Sequence, residues 1–180
     1  VVAWNSLDSA LLDEWAAPGE LHRSANTGYF TRAGLFGWDK IDPGSRLLAQ
    51  PLPGRLPGRV ADFGSGYGYL AQAIADKGWH ELHLIEVDQR GLEAAQANLP
   101  SLDNVHLHWL DLTLEAPPGE LDHVVMNPPF HRDAKQAREL GLIFVERAAQ
   151  ALGKAGNLWM VANQALDYEK LLAHHFPTYK

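Results

Sequence analysis

Arg59-Val60-Ala61-Asp62-Phe63-Gly64-Ser65-Gly66-Tyr67-Gly68 decides the fold. A short apolar run enters a turn with three glycines, each separated by one residue. This pattern predicts a buried strand and then a tight turn. Glycine lets the backbone bend sharply and approach a ligand closely. A helix beginning just beyond the turn offers free N–H groups there. Leu70, Ala73 and Ile74 place that helix over 69–77, with Gly78 stopping it.

The same alternation continues outward. Strands are predicted over 81–87, 105–110, 121–126 and 157–162. Helices are predicted over 90–98, 134–152 (closed by Gly153) and 168–175. Strands alternating with helices at these lengths predict an α/β fold: a doubly wound, mainly parallel sheet between two helical layers, with right-handed crossovers. Upstream, Leu7, Leu11 and Trp15 share one helical face, with Ser6 or Asp8 as cap. Asp42-Pro43-Gly44-Ser45 opens the apolar run Leu47, Leu48, Leu52, with Pro43 in a first helical turn. Residues 51–58 form a breaker-rich connector. The division expected is an N-terminal linker or helical extension over 1–35 and one domain over 36–180.

Composition narrows the chemistry. The 180 residues include 15 Lys and Arg against 22 Asp and Glu, a formal charge of −7, with 46% hydrophobic residues and no cysteine. A chain this long buries roughly 70% of its unfolded surface. The absence of cysteine excludes disulfides, thiolate metal sites and a cysteine nucleophile. The acidic balance excludes a globally basic nucleic-acid binder, so an RNA partner needs a local patch or a pocket. No window is apolar enough to span a bilayer, and the start lacks a signal peptide, so a cytoplasmic location is expected. The chain opens on Val1 and ends just after a predicted helix. The expectation is a piece of a longer soluble protein, with the last strands of the sheet beyond it.

The turn differs from a dinucleotide site. G-x-G-x-G after Asp62 replaces G-x-G-x-x-G, and a carboxylate there repels a pyrophosphate but suits a positive amino group. Glu86, ending the second strand, can accept both ribose hydroxyls. Asp88 reads as the cap of the next helix. Asp111, just past the third strand, is placed for an adenine amino group. Together Asp62, Glu86 and Asp111, with Gly64, Ser65, Gly66, Gly68 and Asn127, fit S-adenosylmethionine.

Asn127-Pro128-Pro129-Phe130 follows the fourth strand, beside that ligand in a doubly wound sheet. The prolines fix the backbone and leave their carbonyls as acceptors. With the Asn127 oxygen, two acceptors can hold the hydrogens of an exocyclic NH2 and aim its lone pair at the methyl group. Phe130 offers a stacking face. Positioning and desolvation then carry methyl transfer, without a covalent intermediate. His106 and His108 do not complete a recognisable metal set, and no metal is expected. Arg132, Lys135 and Arg138 share one side of a helix start and are candidates for RNA phosphates, with Arg23, Arg32, Lys40 and Arg46 upstream. Trp38 sits in the loop expected to close over the ligand.

D-F-G-S-G-Y-G, I-E-V-D and N-P-P-F together resemble the class I S-adenosylmethionine-dependent methyltransferases acting on amino groups. Gly34-Leu35-Phe36, Asp39 and Asp42-Pro43-Gly44-Ser45, with His131 after the motif and Val161-Ala162-Asn163, resemble the bacterial ribosomal RNA guanine-N2 enzymes. The resemblance covers about Gly34 to Phe176. It implies a Rossmann-like methyltransferase domain acting on guanine N2 in ribosomal RNA or a ribosomal subunit. It implies Asn127, Pro128 and Phe130 as catalytic, and Phe36, Asp42, Ser45, Pro129, Phe130, His131 and Arg132 as substrate-binding. It also implies a further N-terminal domain in the whole protein. Pro43 departs from the aliphatic residue common at that place. Adenine N6 or protein glutamine N5 methylation is the alternative within the same chemistry. A non-catalytic cofactor- or RNA-binding module is the alternative outside it.

Overall fold

The computed structural model describes residues 13, 16–101, 103–129, 134–163 and 168–178. The predicted helix over Leu7, Leu11 and Trp15 lies outside them. After a 3-10 turn (Ala17–Gly19), strands β1 (His22–Arg23) and β2 (Phe30–Thr31) form a small antiparallel pair. Helix α1 (Pro43–Ala49) follows, then β3 (Arg59–Phe63), α2 (Tyr69–Ile74), β4 (Glu81–Glu86), α3 (Gln89–Asn98) and β5 (Val105–Trp109). The chain continues with β6 (Leu121–Met126), α4 (Ala134–Ala151), β7 (Leu152–Met160) and α5 (Glu169–His175). The main sheet is parallel throughout, in the order β5-β4-β3-β6-β7. The chain therefore starts at the centre, winds out through β4 and β5, and crosses back to β6. The crevice between the carboxyl ends of β3 and β6 is the switch point, where such sheets bind ligands.

Alternation along the strands divides the core between the two faces. Val60, Leu82, Leu84 and Val125 pack with Leu48, Leu70, Ile74, Leu92 and Ala95 from α1, α2 and α3. Ala61, Phe63, Ile85, Val124 and Met126 pack with Phe144, Val145, Ala148 and Ala151 from α4. Phe63, bulky for a residue beside a glycine turn, is fully buried there.

Two predicted boundaries differ by three residues or more. Helix α2 ends at Ile74 and a turn carries the chain on to Lys77, whose N–H donates to the Ile74 carbonyl. Strand β7 begins at Leu152, directly after α4, instead of at 157. Leu152 pairs with Leu121 and Asn157 with His123, so the register slips between them. Gly153 and Gly156 thus lie in a bulge, where glycine is favoured. The connection from β5 to β6 contains no helix. Over β4 and β5 the α4 face instead carries stacked His83 and His106, with His83 Nδ1 3.0 Å from His108 Nε2. No helix of the described residues is long and apolar enough to cross a membrane.

Candidate active site

A cavity of about 650 Å³ opens at the switch point, a size ordinary for a cofactor or nucleoside site. Gly64, Gly66, Glu86, Asp111, Asn127, Pro128 and Pro129 line it, with Phe36 at one side and Phe144 from α4. Seven positions expected from the motifs at the ends of β3, β4, β5 and β6 therefore meet in one space with Phe36 from the upstream segment.

The turn after β3 is built from the backbone. Gly64 and Ser65 both donate to the Ile85 carbonyl, at 2.9 and 3.1 Å. Gly66 donates its N–H to Glu86 Oε2 at 2.8 Å, and the Asp88 N–H donates to Oε1 at 2.9 Å. Each Glu86 oxygen thus has one backbone donor and retains lone-pair capacity for another. Asp88 does cap α3, accepting from the Arg90 N–H at 3.0 Å. A Cβ on Gly66 would meet nothing within 4 Å, so the turn presents bare backbone to open space. Gly68 does not line the cavity. It caps α2 at φ +84°, where a Cβ would lie 2.9 Å from Ala95 Cβ, and so lets α2 close on α3.

Asp62 corrects an expectation. It is 0% exposed, and neither of its oxygens meets a donor in full hydrogen-bond geometry, although the Ala71 N–H is near enough to act on it. It pairs in register with Leu84 and Val125, so its side chain is turned toward the α2 layer and does not line the cavity. Burial pushes its carboxyl up to about 7; the Ala71 N–H pulls the other way and the Glu86 charge adds to the rise. Direct contact with a ligand's amino group is not available to it. Ser65, whose buried Oγ also lacks a partner, lines a smaller adjoining space of about 40 Å³.

Asp111 does reach the large cavity. Its Oδ1 accepts from the Thr113 N–H at 2.8 Å and hydroxyl at 2.7 Å, which hold its carboxyl below the usual range. Thr113 was not singled out from sequence, although D-x-T is the spacing of such a side-chain turn. Gly91 was also missed: a Cβ there would lie 3.1 Å from both Glu86 Cγ and the Gly66 carbonyl. A lone glycine in a helix carries no signal of what it faces.

Asn127 is held from far along the chain. Its Nδ2 donates to Asp42 Oδ2 at 2.8 Å and to Ser45 Oγ at 2.8 Å. The same Asp42 oxygen accepts from the Ser45 N–H at 2.8 Å and caps α1, with Pro43 in the first turn. Ser45 lines the smaller space, and Asp42 lines that space and also a separate open hollow of about 580 Å³ with Phe36, Lys40 and Gly44. Neither lines the large cavity, and both sit beside the Asn127 amide. Val161, from the V-A-N segment, packs 3.5 Å from where a Gly44 Cβ would sit. Trp38 packs with Leu35, Tyr67 and Ala94, away from the cavity, and does not cover it.

Phe130, His131 and Arg132 lie outside the described residues, as does the Lys135 side chain. Arg138 is exposed on α4. Upstream, Arg32 is paired with Glu93 at 2.7 Å and Arg23 donates to the Gly28 carbonyl at 2.8 Å. Lys40 and Arg46 are exposed.

Comparison with known proteins agrees with this architecture. The chain is 32% identical over 146 residues to ribosomal RNA small subunit methyltransferase C of Alteromonas mediterranea, covering 81% of this chain and 41% of that protein. The same-named protein of Acinetobacter baylyi is 32% identical over 148 residues, covering 79% and 44%. The chain thus spans about two fifths of the length of these relatives. Among solved structures, the T. thermophilus 16S rRNA N2 G1207 methyltransferase (RsmC), in complex with AdoMet and guanosine, superposes with a TM-score of 0.67 at 27% identity, covering 89% of this chain and 46% of that one. A ribosomal protein L11 methylase of Lactobacillus delbrueckii shares the fold, with a TM-score of 0.60 at 22% identity. Residues 26–180 match the family model, and the chain belongs to the methyltransferase small domain family.

Proposed function

We propose that this chain is the catalytic domain of an S-adenosylmethionine-dependent methyltransferase acting on an exocyclic amino nitrogen in RNA, guanine N2 of small-subunit ribosomal RNA. One observation carries the reading: the glycine turn with Glu86 and the Asn127-Pro128 corner line a single cavity. The relatives named as ribosomal RNA methyltransferases support it, as does the solved relative described with AdoMet and guanosine.

The residues fit the cofactor. Gly66 leaves room against its backbone. Glu86 keeps acceptor capacity for ribose hydroxyls, and Asp111 faces the same cavity. Gly64 and Ser65 shape the turn, Gly68 seats it on α3, and Asp62 acts from behind it. When bound, the cofactor supplies an electrophilic methyl group on a sulfonium. Asn127 Oδ1 and the Pro128 carbonyl accept the two hydrogens of the amino group and hold its lone pair in line. Phe36 lines the cavity that takes the base, and Phe130 of the motif supplies stacking. Desolvation and orientation contribute the rate, and no side chain needs to remove a proton before attack. Pro129, His131, Arg132, Lys40 and Arg46 engage RNA. The segment before residue 26 leads to a further N-terminal domain, whereas residues 26–35 pack with the methyltransferase domain through Asn98 and Glu93, and the protein works in the cytoplasm on ribosomal RNA.

The test is methyl transfer by the full-length protein to small-subunit RNA, read by nucleoside analysis. The expected product is N2-methylguanosine. Asn127→Ala should lower turnover by at least about 10²-fold while calorimetry shows cofactor affinity retained. N6-methyladenosine as product would replace the guanine assignment. Cofactor binding without methylation of RNA would leave a binding module or a protein-amide enzyme.

A further inference from the structure

An amide side chain presents two ends of nearly equal shape and opposite hydrogen-bonding character. Which end of Asn127 faces the cavity therefore depends on its neighbours. We propose that Asp42 is a positioning residue: it fixes the Asn127 amide with nitrogen inward and oxygen toward the cavity, so that the site takes a donating amino group and refuses a carbonyl in the same place. This rests on the reading that Asn127 receives the substrate's amino group.

The geometry distinguishes the two neighbours of Nδ2. Ser45 Oγ, at 2.8 Å, is a hydroxyl that both donates and accepts, so it would tolerate a flipped amide by rotating its hydrogen. Asp42 Oδ2, also at 2.8 Å, belongs to a carboxylate, which only accepts. A flip would set Asn127 Oδ1 against it, acceptor against acceptor. Asp42 decides the direction, and Ser45 uses the second N–H. The carboxylate is itself immobilised, because the same oxygen caps α1 by accepting from the Ser45 N–H at 2.8 Å. Gly44 leaves the room this requires: a Cβ there would lie 2.9 Å from Asp42 Oδ2 and 3.6 Å from Asn127 Nδ2. Asn127 lines both spaces, while Asp42 and Ser45 line the small one and not the large cavity. With its nitrogen committed to them, the oxygen is the end left for the large cavity.

The upstream D-P-G-S segment thus acts on substrate choice through Asn127, 85 residues away. It also separates two roles of Asp42 that can be tested apart. Serine is a good N-cap and preserves the start of α1, but its short hydroxyl imposes no direction on the amide. Asparagine can place a carbonyl oxygen where Asp42 Oδ2 sits.

The experiment uses the full-length protein, with Asp42→Ser, Asp42→Asn and wild type compared. Asp42→Ser should lower kcat by about 10²-fold, the scale of a misplaced catalytic group. The KM for RNA, the Kd for S-adenosylmethionine and the unfolding midpoint should stay near wild type. Asp42→Asn should restore at least a tenth of wild-type kcat. Side-chain amide NMR provides a readout independent of turnover: the Asn127 NH2 protons, identified by their loss in Asn127→Ala, should be protected from exchange in wild type and exposed in Asp42→Ser. The proposal is overturned by an Asp42→Ser enzyme within threefold of wild-type kcat. It is equally overturned by a loss shared with cofactor affinity or folding, by no rescue in Asp42→Asn, or by unprotected amide protons in wild type. A wild-type protein that binds cofactor but methylates no RNA overturns the functional reading instead, and the amide signal still decides the positioning.

Discussion

Glu86 and Asn127 line the same cavity and are held in place by different means. Glu86 takes its two bonds from backbone N–H groups, of Gly66 at 2.8 Å and Asp88 at 2.9 Å. Asn127 takes its two from the side chains of Asp42 and Ser45, 85 and 82 residues away. A backbone donor persists under most substitutions, provided the turn keeps its path. A side-chain partner disappears with one mutation. The cofactor side of the cavity should therefore respond to changes in backbone conformation, and the substrate side to changes in individual side chains.

The largest effect tests the backbone half of that contrast. Gly68→Ala combines φ +84° with a Cβ 2.9 Å from Ala95 Cβ and 3.0 Å from its Cα. Left-handed strain and overpacking add to about 3 kcal/mol. Chemical denaturation should show that loss. A variant within 1 kcal/mol of wild type would mean that the turn yields without cost and that Glu86 needs another support.

Next comes Glu86→Gln, which keeps the shape and leaves one amide oxygen where two carboxylate oxygens accepted. Losing a charge-assisted bond costs about 2 kcal/mol, so S-adenosylmethionine should bind about 30-fold more weakly by calorimetry. Asn127→Ala should leave that affinity within about threefold. Equal losses in the two variants would erase the division between a cofactor side and a substrate side.

A third effect is electrostatic, and it contrasts the buried Asp62 with the histidine cluster. Asp62 is pushed from 3.8 to about 7, chiefly by burial. Its contribution to stability is full below about pH 3.8 and is lost as the pH rises toward 7. His83 is pushed from 6.5 down to about 4 by burial and by the neighbouring His108, His106 and Arg59, with Glu81 opposing. Its contribution is present above pH 6.5 and is lost as the pH falls toward 4. His108 and His123 are shifted in the same direction, each chiefly by burial. Between pH 4 and 6.5 the two slopes oppose each other. In Asp62→Asn, unfolding free energy should climb more steeply with pH across that window, and in His83→Gln less steeply. Profiles parallel to wild type in Asp62→Asn would show that this carboxyl does not titrate with folding.

Legibility followed the same division. Every main-sheet strand was readable because each is a local pattern, an apolar run bounded by turn residues. The β7 boundary was misplaced because the bulge at Gly153 and Gly156 is defined only by pairing with Leu121 and His123. The positions after β3, β4, β5 and β6 were readable as one site because the order of a doubly wound sheet brings those ends together. Asp62 was misjudged because its place next to the glycine turn does not reveal which face of the sheet it takes. In register with Leu84 and Val125, it goes beneath the α2 layer.

By itself the amino-acid sequence determined the parallel α/β architecture, the glycine turn, the acids at the strand ends and the Asn-Pro-Pro corner, because each depends on neighbours within a few residues. Only the tertiary structure decided that Asp42 and Ser45 bond to Asn127, that Gly91 makes room for Glu86, and that Trp38 packs beside Leu35. Those are contacts between segments that meet only after the sheet has wound twice. A hydrogen bond spanning 85 residues leaves no periodicity in the sequence that connects its ends.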